Sequence, residues 1–140
     1  MHLGISRKTE LALKAISVLS STAAGQSVPG RELAEQIGTT TRFLPQVMKP
    51  LVNHKYATSS PGPSGGYRLA IDLIDTTLLQ VIEAIEGPFD LGKCISTGGP
   101  CPDQASCALH IPWTRAKTAV LTELGSVMLD VMYQSSESEG

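Results

Sequence analysis

A chain of 140 residues with 41 % hydrophobic content has the size of one domain with an added element, and can bury one core. It opens MHLGISRKTELALK, without an apolar secretory stretch, and contains no run of 18 apolar residues, so neither export nor membrane spanning is expected. A cytoplasmic location follows as the expectation, and three cysteines, an odd number, speak against a disulfide framework. The net charge of −2 conceals a split: residues 1–70 carry eight Lys/Arg against three Glu, a net +5, whereas residues 71–140 carry three against ten, a net −7. A basic first half suggests a part that meets a polyanion.

In chain order, residues 6–22 read as a first helix, with Ser6 as cap and Leu11, Ala12, Ala15, Ile16 and Leu19 at helical spacing. AAGQSVPG is a turn. GRELAEQIG is a short second helix, stopped by Gly38. TTTRFLPQVMKPLVNHKY begins a third, with Thr40 as cap and Leu44, Val47, Met48 and Leu51 on one face. Pro50 interrupts it, and an interior proline costs roughly 3 kcal/mol if unrelieved. The expected result is a helix that ends early, near Lys49, since only His54 or Lys55 stands where a terminating glycine would be.

YATSSPGPSGGYRLA reads as a hairpin around a Gly/Pro/Ser turn. TTLLQVIEAIEG is a fourth helix, with a Thr77–Gln80 capping box and Gly87 at its end. A last helix is expected from about Pro112 to Tyr133, apolar on more than one side, so that one stripe covers its own domain and another can meet a second copy. The tail QSSESEG is polar and expected to fray.

The fold expected is mainly α with a small β-hairpin: a winged helix-turn-helix domain over 1–72, a connecting helix over 73–91, a loop over 92–111, a long C-terminal dimerisation helix over 112–134 and a disordered tail over 135–140. In a winged helix-turn-helix the N-terminal residues of the third helix reach base edges in the major groove. Here these are Thr40, Thr41, Arg42 and Gln46, with Arg42 suited to guanine and Gln46 to adenine. Lys49 and the wing residues Ser59, Ser60, Ser64 and Arg68 suit phosphates, which position rather than specify. An enzyme is not expected, because no paired carboxylates, phosphate loop or nucleophile–base pair stands out.

The loop GKCISTGGPCPDQASCALHIPW gathers every cysteine of the chain, Cys94, Cys101 and Cys107, with His110 three residues beyond the last. Only the Cys107/His110 pair has the tight spacing common in zinc modules. Three readings fit: an iron–sulfur cluster with mainly Cys ligands, a Cys3His zinc site, and a thiol switch without metal. His2 and His54 lack partners at ligand spacing and read as surface residues.

Taken together, the wing SPGPSGGYRL, the helix LLQVIEAIEGP, the three cysteines and the closing CALHIPW resemble the iron–sulfur transcription regulators of the Rrf2 family, over Ile5 to about Val131. The resemblance implies a homodimer built on the C-terminal helix, bound to an imperfect palindrome in double-stranded DNA, with a cluster held by Cys94, Cys101 and Cys107. One ligand pattern in the family adds a His three residues after the last Cys. His110 stands there and Trp113 also matches, which is similar to a 2Fe–2S site with three Cys and one His. A second pattern takes a carboxylate from the partner's first helix and holds a 4Fe–4S cluster. Glu10 stands at that place, although it can equally be a surface residue paired with Lys14 at i, i+4, the reading we prefer. The expectation is a regulator, acting as a repressor, whose operator affinity is set by an iron–sulfur cluster, 2Fe–2S ahead of 4Fe–4S, sensing iron, redox state or nitric oxide. The alternative is a zinc-binding or clusterless thiol-switch winged-helix regulator.

Overall fold

The structure is a computed structural model, and it describes residues 5–23, 26–88 and 106–139, the last five of these by their backbone alone. Six helices and one hairpin are described: α1 (Arg7–Ser20), α2 (Gly30–Ile37), α3 (Leu44–Asn53), β1 (Ala57–Ser60), β2 (Gly66–Leu69), α4 (Leu78–Glu86), α5 (His110–Ser126) and α6 (Leu129–Glu139).

The helix ends follow local chemistry where that chemistry is strong. Ser6 Oγ accepts from the Thr9 amide and opens α1. Gly38, at φ 82°, closes α2 in a left-handed turn that costs glycine nothing. At α4 the Thr77 hydroxyl accepts from the Gln80 amide at 3.1 Å, while Gln80 Oε1 accepts from the Thr77 amide at 2.8 Å, so two amides without helical partners are satisfied.

The third helix departs from its sequence reading at both ends. Thr40 Oγ1 accepts from the Phe43 amide at 3.1 Å, capping a single turn over 41–43, and α3 itself begins at Leu44. Pro45 lies in the first turn, where no helical N–H is lost. Pro50 does not end the helix near Lys49, which runs on to Asn53. Only the bond to the Gln46 carbonyl is forfeited, and the amides of His54 and Lys55 close the end on Pro50 and Val52. Lys55 then turns the chain at φ 64°, a left-handed position held by a non-glycine residue.

One core ties the first three helices together. Ile16, Leu33, Leu44, Val47, Met48 and Leu51 are at most 2 % exposed, and Val28, Ala57, Val81 and Leu129 join them from the turn, the hairpin, α4 and α6. Each of the buried Ile, Leu, Val and Met side chains contributes about 1.5–3 kcal/mol of burial. In the hairpin Ala57 pairs with Leu69, Thr58 with Arg68, Ser59 with Tyr67 and Ser60 with Gly66. Val28 extends this ladder through two backbone bonds to Tyr67, at 2.8 and 2.9 Å.

The single C-terminal helix expected from Pro112 to Tyr133 is two helices. Val127 is extended, and Thr77 and Met128 form an antiparallel bridge. The Leu78 amide donates to the Val127 carbonyl at 2.8 Å and the Leu129 amide to that of Thr76 at 3.0 Å. The segment ahead of α4 therefore captures the backbone between α5 and α6 and drives Leu129, fully buried, into the core. The expected disordered tail over 135–140 is helical through Glu139 in α6, with only residue 140 outside the described residues. No helix among the described residues is long and apolar enough to cross a membrane.

Candidate nucleic-acid interface and metal site

The polar side of α3 and its leading turn forms one stripe. Arg42, Gln46, Lys49 and Asn53 recur at helical spacing and are exposed, opposite the buried Leu44, Val47, Met48 and Leu51. Thr40 and Thr41 are exposed at the head of this stripe, and they and Arg42 lie on the leading turn rather than on the helix. A helix anchored on one face by four buried aliphatics can present the other face rigidly.

The wing stands beside it. Its tip needs glycine: a Cβ on Gly65 would lie 2.1 Å from the Ser60 carbonyl oxygen, and one on Gly66 would lie 2.2 Å from that of Val28. Ser59, Ser60, Ser64 and Arg68 are exposed, but the register divides them. Ser60 shares a face with Thr58 and Arg68, while Ser59 shares the other with Tyr67. Arg68 Nη2 donates to Ser27 Oγ at 3.4 Å, which steadies the guanidinium at the edge of the hairpin.

A groove of about 280 Å³ lies where α1, α3 and α4 meet, lined by Lys8, Gln46, Lys49, Asn53 and His54. Sequence reasoning alone does not single out Lys8. Its one signal is a cation in the first turn of a helix, where the macrodipole favours anions.

Of the four residues expected to hold a metal group, Cys94 and Cys101 lie outside the described residues. The backbones of Cys107 and His110 share one turn leading into α5: the His110 amide donates to the Cys107 carbonyl at 3.2 Å. Both are half-buried, and Cys107 is a free thiol. A soft thiolate and an imidazole in one turn suit iron or zinc. Among the described residues no group of three or more His, Cys, Asp or Glu is placed to hold a metal ion. Glu10 is engaged otherwise, by Arg7 at 3.1 Å and Lys14 at 3.4 Å. The hydrogen bonds from Arg7 and then Lys14 hold its carboxyl below the usual carboxylate range. Further along α5, Lys117 lies over the Trp113 ring at 5.9 Å from its centroid.

Three helices, a hairpin wing and an exposed polar stripe on the third helix define a winged helix-turn-helix module of the kind that reads duplex DNA. The model of the Rrf2 family, described as an iron-dependent transcriptional regulator, matches residues 5–135. The chain is 27 % identical over 110 residues to the HTH-type transcriptional regulator IscR of Vibrio cholerae, a match covering 79 % of this chain and 63 % of that relative's length. Among solved structures, T. potens IscR superposes with a TM-score of 0.75 at 23 % identity, covering 99 % of this chain and 92 % of that one. CymR, the global cysteine regulator of B. subtilis, does so with a TM-score of 0.74 at 23 % identity, covering 96 % and 98 %. The chain belongs to the Rrf2 family of transcriptional regulators, and its relatives are regulators rather than enzymes.

Proposed function

We propose that this protein is a homodimeric, cytoplasmic regulator whose affinity for a palindromic operator is set by an iron–sulfur cluster on Cys94, Cys101, Cys107 and His110. The observation that carries this reading is the backbone bond that puts Cys107 and His110 in one turn at the head of α5. When bound, the cluster supplies a centre whose charge and ligation respond to iron, oxidants or nitric oxide. The chain's own residues do the rest. Ligation by Cys94 and Cys101 together with Cys107 and His110 would tie the chain that follows α4 to the head of α5.

α4 in turn packs on α1 and α3 and sends Val81 into their core. Movement of α4 therefore changes how the stripe of Thr40, Thr41, Arg42, Gln46 and Lys49, with the wing residues Ser59, Ser60, Ser64 and Arg68, meets DNA. Exposed Ile111 and Val120 on α5, and Leu109 just ahead of it, support a second copy as the partner that covers this helix. A single His ligand suits a labile 2Fe–2S sensor. The pairing of Glu10 with Arg7 and Lys14 weighs against its use in a 4Fe–4S site.

The test is to purify the protein without oxygen, assay iron and acid-labile sulfide, and select duplexes from a random library. Several visible bands with iron and sulfide, and an inverted repeat among the selected duplexes, are expected. A colourless protein without sulfide that still selects duplexes would leave a zinc or thiol-switch regulator, the second reading.

A further inference from the structure

The groove between α1, α3 and α4 has a use that the stripe of base-facing residues does not exhaust. Lys8 is the second residue of α1, where a cation opposes the macrodipole. Its neighbour Arg7 is neutralised by Glu10 at 3.1 Å. Among the described residues, neither Lys8 nor Lys49 has a carboxylate partner. Folding therefore gains nothing visible from Lys8, and a residue that breaks a local rule without compensation marks a functional position.

The groove is also in the right place. Gln46, Lys49 and Asn53, which continue the stripe begun by Arg42, line it on one side. From Gln46 to Asn53 the helix advances about 10 Å, close to the width of a major groove, about 12 Å. With the head of the stripe on base edges, its far end would meet the flanking sugar–phosphate backbone. Pro50 and Ala84 give the groove an apolar lining, and His54 is held against the Tyr56 ring, with centroids 6.2 Å apart.

We infer that this groove seats a DNA phosphate just outside the bases that Arg42 and Gln46 face, with Lys8 and Lys49 supplying charge and Asn53 a neutral donor. The inference rests on the DNA-binding reading above and extends the DNA-facing surface from the recognition helix to α1. Lys8 becomes a positioning residue that carries no sequence information.

The experiment uses the full chain and a duplex selected from the random library. Affinity is measured against salt for the wild type, Lys8→Gln and Lys8→Arg. Removing one cation from a phosphate lowers the salt slope by about 1, hence about 2 for a dimer. Lys8→Gln should weaken all duplexes alike, by about three- to tenfold, while Lys8→Arg keeps most of the affinity and shows that the fold is intact. A duplex shortened by its outer base pairs should weaken the wild type more than Lys8→Gln, which keeps only the Lys49 and Asn53 contacts. An unaltered slope and affinity in Lys8→Gln, with Arg42→Ala still impaired, would overturn the inference and spare the DNA-binding reading. Inorganic phosphate that binds the wild type but not Lys8→Gln, with equal DNA slopes, would mark a free-anion site and also overturn it. A wild type that selects no duplex would end both.

Discussion

The carboxylate of Glu86 accepts a hydrogen bond from the backbone amide of Ser6, Oε1 to N, at 2.8 Å. These residues are 80 positions apart. Glu86 is the last residue of α4 and Ser6 caps α1, so the bond ties the helix that leads into the cysteine segment to the first helix of the DNA-binding head. An exposed bond of this kind contributes little to stability, about 0.5 kcal/mol. Under the proposed function, its place would let it couple the two. Glu86→Ala should leave the melting temperature nearly unchanged and narrow the ratio of operator affinities between the metal-loaded and metal-stripped protein, whereas Glu86→Gln, which keeps an acceptor, should retain most of it. Paired titrations of both forms give the answer, and an unchanged ratio in Glu86→Ala would remove the bond from the signalling path.

Arg42 and Lys49 lie on one stripe but are expected to differ in kind. Arg42→Ala should relax preference at one base position by about 1–3 kcal/mol, and Lys49→Gln should weaken every duplex alike with a shallower salt dependence. Binding to a panel of single-base operator variants separates the two. Equal loss on all variants for Arg42→Ala would sink its role as a base reader.

Glycines should rank by space as well as by backbone conformation. Gly38 and Gly66 both have positive φ, but a Cβ on Gly38 meets nothing within 4 Å, and one on Gly66 runs into the Val28 carbonyl. Gly38→Ala should cost about 1 kcal/mol, the strain of a left-handed residue alone. Gly66→Ala should cost more, about 3 kcal/mol, and impair the wing's seat on the Val28 backbone. Urea unfolding of both variants measures the order.

Tyr133 fastens α6 to α1: its hydroxyl donates to the Leu13 carbonyl at 2.7 Å. Burial pushes its pKa well above the usual tyrosine value. The folded state therefore keeps a proton that the unfolded chain releases near pH 10, so this residue's contribution is complete below about pH 10 and is lost as pH rises beyond it. Tyr133→Phe should cost about 1 kcal/mol at pH 7 and show a shallower loss of stability between pH 9 and about pH 11. Urea titrations at several pH values compare the slopes, and parallel losses in both proteins would contradict the assignment.

What the sequence discloses, and what it conceals, follows from the range of the forces involved. Ser6, Gly38 and the Thr77–Gln80 pair act within four residues, so their caps are legible in the sequence itself. Pro50 misleads because the rule assigns it a cost without saying that tertiary packing of Val47, Met48 and Leu51 can hold the helix together past one missing bond. Lys55 ends the helix from a left-handed conformation that only glycine advertises. The break at Val127 and Met128 is hidden because its cause is about 50 residues away, in the backbone of Thr76 and Thr77. At the candidate metal site, Cys107 and His110 are legible by spacing. On the proposed DNA face, Arg42, Gln46 and Lys49 are legible by helical period, while Lys8 needs the fold to bring α1 alongside α3.

The most direct test of the central claim is the affinity of one selected duplex for the same anaerobic preparation before and after its metal is stripped by a chelator, with iron and sulfide assayed in each. A cluster that governs operator binding predicts a change of at least about fivefold, abolished in Cys107→Ser. Equal affinity in the loaded and stripped forms would contradict it and leave a regulator whose cysteine segment does not govern its hold on DNA.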